Sequence, residues 1–197
     1  RAEITDDPCS VDYEPVGYRT LDRALRHVRP DPARDVFLDY GCGQGRALAV
    51  AAQRSFQKII GVELSSALAA VARSNLDRAR SKLRCRDCRV IAANAIEFNV
   101  PDDVSVIFLF NPFRGEVLEA AIDRIEASLR RRPRQLTILY VQPIRDKNVF
   151  AEQPWLVEKV NTLSEGLRLA VYESTVAADT SDHCHNRANQ RASQHAI

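Results

Sequence analysis

The sequence has no methionine, and it has no apolar run long enough to cross a bilayer. Its N-terminal residues also lack the pattern of a secretory signal peptide. These absences predict a cytoplasmic protein without a membrane-spanning segment. Because the chain starts at Arg1 and has no Met, we further expect a fragment or a processed chain with an upstream segment.

Neither sign of charge dominates the sequence, since 28 basic and 26 acidic residues leave a net charge of +2. This balance gives no bulk electrostatic argument for nucleic acid or a membrane surface as a partner. Basic residues are concentrated locally, at 78–89 (RARSKLRCRDCR) and at 129–134 (LRRRPR). Both clusters lie at the ends of predicted helices, where arginine is favourable, so the sequence favours solvated helix ends over phosphate-binding surfaces.

Cysteine is scarce and odd in number, with five residues. Without a secretory signal, this count predicts reduced thiols and no disulfide framework. Cys85 and Cys88 form a C-x-x-C pair, and His183 and His185 lie far downstream, which together make a formal set of four zinc ligands. Since the pair precedes a predicted strand and the histidines lie in a polar tail, we interpret the cysteines as ordinary thiols.

Strand-like and helix-like segments alternate between residues 13 and 178. The strands have apolar residues on both faces, which is typical of a parallel sheet covered by helices on each side. We expect an α/β fold with a doubly wound, seven-stranded, mostly parallel sheet that closes in an antiparallel hairpin, flanked by a loose segment (1–12) and a polar tail (179–197). Helices are predicted at 13–30, 45–55, 65–83 and 115–133, and strands at 35–40, 58–63, 88–95, 135–143, 155–163 and 167–174. Residues 102–113 are predicted to form a turn followed by the fourth strand.

Three glycines on alternate positions follow the first predicted strand, in the stretch VFLDYGCGQGRAL. Gly41, Gly43 and Gly45 allow a sharp turn into a helix and a close approach of a ligand to the backbone. A nicotinamide-binding loop has the spacing G-x-G-x-x-G, whereas Arg46 occupies the position of that third glycine here. The spacing therefore argues against a nicotinamide-dependent oxidoreductase.

Preceded by Asp39, this loop resembles the first motif of the class I S-adenosylmethionine-dependent methyltransferases, D-x-G-x-G-x-G. Three further segments resemble the later motifs in the expected order, namely IIGVELS, VIAANAIEF and FLFNPF. The resemblance extends from Tyr13 to Ser174, with a distant similarity to the non-SET lysine methyltransferases. It implies the Rossmann-like methyltransferase fold, S-adenosylmethionine as cofactor and S-adenosylhomocysteine as product.

The resemblance also implies roles for individual residues. The acid and backbone of the glycine loop would face the amino-acid part of the cofactor, Glu63 would bind the ribose hydroxyls, and an N-terminal lid would cover the site. The implied cofactor-binding residues are Tyr13, Tyr18, Asp39, Tyr40, Gly41, Cys42, Gly43, Glu63, Leu64, Asn94, Ala95 and Asn111.

The acceptor is indicated only by NPF, Asn111 to Phe113. It resembles the [DNS]-P-P-[YFW] motif of enzymes that methylate amino groups of nucleic acid, although one proline is absent, and it also resembles the corresponding segment of non-SET lysine methyltransferases. Both comparisons imply a nitrogen acceptor with Asn111 and Phe113 as catalytic residues. A protein lysine, a nucleobase and a small molecule all stay open, as do a purely structural Asn111 and a catalytically inactive, cofactor-binding regulatory domain.

Overall fold

The computed structural model describes residues 15–144, 146–164 and 166–175. The expected lid residue Tyr13, the N-terminal segment (1–12) and the polar tail (179–197) lie outside the described residues. Within the described part of the chain, no helix combines the length and the apolar character needed to span a bilayer.

Seven strands form one sheet in the order β3-β2-β1-β4-β5-β7-β6. All neighbouring pairs are parallel except the two that include β7, which is antiparallel to β5 and to β6. The predicted fold class, including the closing hairpin, is therefore confirmed. The strands are β1 (Val36–Tyr40), β2 (Lys58–Glu63), β3 (Cys88–Ala92), β4 (Val104–Phe110), β5 (Thr137–Pro143), β6 (Leu156–Ser164) and β7 (Leu167–Ser174).

The helices occupy the predicted places but are shorter than predicted. The N-terminal helix begins only after Gly17, and the first helix after the glycine loop ends at Ala51. The third helix is capped by the Ser65 hydroxyl, which accepts a hydrogen bond from the Leu68 amide at 3.3 Å. The α-helices are α1 (Tyr18–Leu25), α2 (Arg46–Ala51), α3 (Ser66–Ala79) and α4 (Gly115–Arg131), with 3₁₀ turns at Arg80–Lys82 and Val149–Glu152.

Two apolar layers cover the sheet, one on each face. Because successive strand residues point to opposite faces, Phe37 packs in the layer of α1, α2 and α3, whereas Leu38 packs in the layer of α4. The predicted apolar stripe of α4 is buried in the second layer, as Ile122 and Leu129 illustrate. The same alternation separates Asp39 from Tyr40 at the end of β1.

The prediction that every strand is apolar on both faces was wrong for β3. Val90 is buried, but Arg89, Ile91 and Ala92 are exposed. The physical reason is that β3 is an edge strand and is followed by turns at 93–103, where a covering helix is absent. One face of β3 therefore stays open to solvent.

Candidate cofactor and acceptor site

Two loops meet where β1 and β4 end, and Gly41 and Pro112 are in contact between them. Gly41 has φ of +77°, and a Cβ built on it would lie 2.5 Å from the Pro112 Cβ. Such a separation is shorter than van der Waals contact allows. Glycine is therefore required at position 41 both for the backbone conformation and for the approach of the NPF loop.

Glu63, at the end of β2, connects the glycine loop to the start of α3. Its Oε2 accepts a hydrogen bond from the Gly43 amide at 2.8 Å, and its Oε1 accepts one from the Ser65 amide at 2.9 Å. Gly43 and Glu63 are far apart in sequence but close in space, because β1 and β2 are adjacent parallel strands. A carboxylate thus lies beside the loop, with oxygens that are able to accept hydrogen bonds from hydroxyl donors.

Asp39 is a buried carboxyl group beneath the same loop, with only 3% of its surface exposed. Among the described residues, none donates a hydrogen bond to its carboxylate. Burial, and secondarily the negative charge of Glu63, raises the pKa of Asp39 to about 8. An ammonium group bound beside Asp39 would offset both the burial of the carboxylate and its repulsion by Glu63. The two acids therefore fit a ligand that has a cationic amine for Asp39 and vicinal hydroxyls for Glu63. S-adenosylmethionine has both groups.

Cys42 is buried in the core layer, and its thiol lies over Gly61, the β2 neighbour of Asp39. A Cβ at Gly61 would lie 2.8 Å from the Cys42 Sγ. Burial, with the charges of Asp39 and Glu63, raises the pKa of the Cys42 thiol. The thiol is therefore neutral. Because the side chain is buried, only the backbone of Cys42 is available to a ligand at the loop.

Tyr40 lies on the opposite face of the sheet from Asp39. Its ring makes edge-to-face contacts with Phe98 and Phe113, each with ring centroids 5.8 Å apart. Its hydroxyl is buried and has no hydrogen-bond partner among the described residues. Tyr40 thus supports the aromatic residue of the NPF loop, and its side chain is not grouped with the two acids.

The residues predicted for the adenine lie at the ends of β2 and β3. Leu64 is 48% exposed directly after β2, and Ala95 is buried. The Asn94 Oδ1 accepts a hydrogen bond from the Ile96 amide at 3.1 Å, which closes a short turn. Ile96 is exposed as well.

Arg46 holds the N-terminal segment against the start of α2. Its guanidinium lies 5.0 Å from the centroid of the Tyr18 ring, and its Nη1 donates to the Val16 carbonyl at 3.0 Å. The structure therefore brings Tyr18 next to the glycine loop. Sequence reasoning used Arg46 only to exclude a nicotinamide site and missed this role, for which its place directly after Gly45 was the available clue.

Asn111 has a left-handed backbone, with φ of +42°, the single positive φ of a non-glycine residue in the described part of the chain. Its amide donates to the Val141 carbonyl at 2.8 Å, which ties the NPF loop to β5. Within the described ranges, its side-chain amide has no hydrogen bond. The side chains of Asn111 and Phe113 are both half-buried.

The C-x-x-C pair stands apart from this site, at the start of β3. Cys85 and Cys88 are free thiols, and burial raises the pKa of Cys88 to about 12. Over the residues described, no group of three or more potential ligands is placed to hold a metal. His183 and His185 lie outside the described residues.

Comparisons with known proteins point to one family. A family model described as a methyltransferase domain matches residues 37–132. No curated protein matches the sequence.

Solved structures share the fold at low sequence identity. An RNA methyltransferase from Salinibacter ruber, in complex with S-adenosylhomocysteine, is 19% identical with a TM-score of 0.61, over 84% of this chain and 95% of that one. The YcgJ protein from Bacillus subtilis is 12% identical with a TM-score of 0.64, over 82% and 100%. A methyltransferase from Aquifex aeolicus, described as S-adenosylmethionine-dependent, is 12% identical with a TM-score of 0.59, over 80% and 89%.

The family match covers the glycine loop, Glu63 at the end of β2 and the NPF loop, and the fold that surrounds them is the one that the resemblance implied. Residues 37–132 match a methyltransferase domain, and the fold around them is that of the class I S-adenosylmethionine-dependent methyltransferases.

Proposed function

We propose that the enzyme transfers a methyl group to a nitrogen atom of an acceptor that binds beside Asn111 and Phe113. The observation that carries this proposal is the contact between Gly41 and Pro112, because it joins the cofactor loop of β1 to the NPF loop of β4. Donor and acceptor sites built on these two loops are adjacent. Methyl transfer depends above all on such positioning.

The cofactor contacts follow from the two acids and the loop. Asp39 would bind the amino group, and Glu63 would accept hydrogen bonds from the ribose hydroxyls. The bound cofactor supplies an electrophilic methyl group on a sulfonium. The remaining contacts that we propose are the backbone of Tyr40, Gly41, Cys42 and Gly43 toward the amino-acid part, Leu64, Asn94 and Ala95 toward the adenine, and Tyr18 as a cover.

Asn111 has the features of a group that orients an amine. Its Oδ1 has no hydrogen bond from the described residues, so it is available to accept one from an acceptor N–H. The fixed loop conformation determines where this oxygen lies, since the Asn111 amide is bound to β5. A hydrogen bond of this kind would direct the nitrogen lone pair toward the methyl group, and the Phe113 ring would hold the acceptor in place. No strong base would be needed for this step, because the sulfonium would leave as the neutral thioether of S-adenosylhomocysteine and the methylated nitrogen would then lose its proton to water.

The acceptor screen would begin with three classes of nitrogen compound: RNA, lysine peptides and small amines. RNA is included because the structurally similar Salinibacter ruber protein is an RNA methyltransferase. S-adenosylhomocysteine production is the readout for each class. Binding of S-adenosylhomocysteine without turnover on any class would favour an inactive, cofactor-binding domain.

The decisive variant is Asn111→Gly, because glycine accepts the left-handed backbone while the amide is removed. We expect kcat to decrease at least about 100-fold, with the affinity for S-adenosylhomocysteine within threefold of wild type. Asn111→Asp keeps an oxygen acceptor and is the matched comparison. Full turnover by Asn111→Gly would mean that Asn111 only shapes the turn.

A further inference from the structure

Basic side chains are concentrated on one surface, formed by the end of α3, the 3₁₀ turn and the start of β3. Within residues 78–89 there are six basic residues and one acidic residue, Asp87, whereas the whole chain has a net charge of only +2. The rest of the chain is therefore net acidic. We call this region the 78–89 surface; its exposed basic residues are Arg78, Arg80, Lys82, Arg84, Arg86 and Arg89.

In the second arginine cluster of the sequence, two of the four arginines pair with acidic side chains outside the cluster. Arg130 pairs with Glu126 at 2.7 Å, and Arg131 pairs with Asp102 at 2.8 Å. Arg134 donates to the Val104 carbonyl at 2.6 Å at the start of β4. Arg130 stabilises α4 itself, whereas Arg131 and Arg134 bind its end to the loop at Asp102 and to β4, so the fold explains the presence of these three arginines.

The 78–89 surface is not neutralised in this way. Arg89 pairs with Asp87 at 2.8 Å, and Arg86 donates to the Arg80 backbone carbonyl. Across the ranges that the structure describes, Arg84 and its basic neighbours in the 3₁₀ turn have no acidic partner. The interpretation as a solvated helix end therefore fits the cluster at 129–134. In the 78–89 surface it leaves several positive charges without an acidic partner among the described residues.

A cleft of about 350 Å³ opens between these side chains. Arg80, Arg86 and Arg89 line it together with one acidic residue, Asp77, and its apolar lining includes Leu83 and Val90. These two apolar residues are buried, so neither side chain protrudes toward a bilayer. Guanidinium groups bind phosphates and stack on the flat faces of bases, and a recessed apolar lining suits one planar ring.

We propose that the 78–89 surface binds the phosphate backbone of single-stranded nucleic acid and holds one base in the cleft. β3 begins at this surface and ends beside Asn94, and its five residues span roughly 17 Å. A bound strand of a few nucleotides therefore reaches from the 78–89 surface to the candidate site. Binding of nucleic acid at the 78–89 surface does not depend on which acceptor the enzyme methylates.

The test is fluorescence anisotropy with labelled 20-nucleotide oligouridine RNA and oligothymidine DNA, without cofactor and over a series of salt concentrations. The double variant Arg80→Gln/Arg84→Gln removes two charges from the 78–89 surface. We expect its Kd to rise at least about tenfold and the slope of log K against log salt to fall by about 1.4, at about 0.7 per phosphate contact. The matched control Arg130→Gln/Arg132→Gln removes two exposed charges from the other cluster and should stay within twofold of wild type.

The RNA and DNA arms identify which backbone is preferred, and binding of either supports the proposal. Absence of binding by wild type, or equal weakening by both double variants, would overturn it. Equal or tighter binding of polyglutamate or of phosphatidylserine vesicles would overturn it in favour of an acidic protein or a membrane. Circular dichroism and urea unfolding check that each variant is folded, and Arg78→Gln/Lys82→Gln replaces the first variant if it is not. Failure of cofactor binding in wild type would count against the proposed function and would leave the anisotropy result unaffected.

Discussion

Gly41 and Pro112 lie so close together that a methyl group on Gly41 would be 2.5 Å from the Pro112 Cβ. The two residues belong to loops that are 71 positions apart and follow adjacent parallel strands. Their contact determines the distance between the residues that would bind the cofactor and those that would bind the acceptor. The absence of a side chain at position 41 is therefore part of the site.

Gly41→Ala is expected to weaken binding of S-adenosylhomocysteine at least about tenfold and to lower the free energy of unfolding by about 1–3 kcal/mol, because it adds a steric clash to a strained backbone. Titration calorimetry and urea unfolding measure the two effects. Gly166→Ala is the control, since Gly166 has φ of +76° and a Cβ added there would meet nothing within 4 Å. Gly166→Ala should lower the free energy of unfolding by about 1 kcal/mol and leave the affinity for S-adenosylhomocysteine unchanged. An unchanged affinity in Gly41→Ala would contradict the close contact.

Asp39→Asn is expected to stabilise the cofactor-free protein at alkaline pH. Because the pKa of Asp39 is raised to about 8, the folded state keeps a proton between about pH 4 and pH 8 that the unfolded state releases. The contribution of this group to the free energy of unfolding thus decreases as pH rises through that range. Scanning calorimetry should show a larger Tm gain for Asp39→Asn at pH 8.5 than at pH 5. A Tm gain that is the same at both pH values would refute the raised pKa of Asp39.

The same carboxyl group predicts how cofactor affinity depends on pH. An ammonium ligand requires ionised Asp39, so the affinity for S-adenosylhomocysteine should increase as pH rises from 6 to 8, by up to about tenfold per unit. Titration calorimetry at several pH values measures this dependence. In Asp39→Asn the affinity should be weak and nearly independent of pH, and a wild-type affinity that does not vary with pH would exclude the proposed amine contact.

Glu63→Gln is expected to weaken binding of S-adenosylhomocysteine by about 1–3 kcal/mol, because a charged acceptor of hydroxyl hydrogen bonds is replaced by a neutral one. The amide oxygen can accept from only one of the Gly43 and Ser65 amides, so some loss of stability is expected and urea unfolding measures it separately from affinity. Glu119→Gln, on the exposed side of α4, removes the same charge elsewhere and should have no effect. Equal affinities for the Glu63 variant and wild type would mean that Glu63 serves only the loop.

Arg46→Gln is expected to release the N-terminal segment, because it removes both the hydrogen bond to Val16 and the contact with the Tyr18 ring. Hydrogen exchange of residues 16–25 should become faster, and S-adenosylhomocysteine should bind a few-fold more weakly. Tyr18→Phe keeps the ring and should behave as wild type, whereas Tyr18→Ala should resemble Arg46→Gln in a milder form. Unaltered exchange in Arg46→Gln would show that other contacts hold this segment.

The order of strands and helices could be predicted from local pattern alone. The apolar run at β1, the stripe of α4 and the hairpin of β6 and β7 each have the period of their element, and period depends on neighbouring residues. The exposure of β3 was not predictable in this way. It depends on the missing helix after β3, which is a property of the sheet and not of the strand.

Parts of the candidate site were likewise predictable from the sequence, and other parts were not. Spacing in the sequence determined that the glycine loop, Glu63 and the NPF loop follow three strands, and parallel strands bring such ends together. Only the tertiary structure decided that Tyr40 faces away from Asp39, that Arg46 holds Tyr18, and that Arg130 and Arg131 have acidic partners outside their cluster. The reason is physical: the period of a strand or helix is a local property of the chain, whereas burial, charge pairing and the contact of Gly41 with Pro112 depend on residues that are distant in sequence and adjacent only after folding.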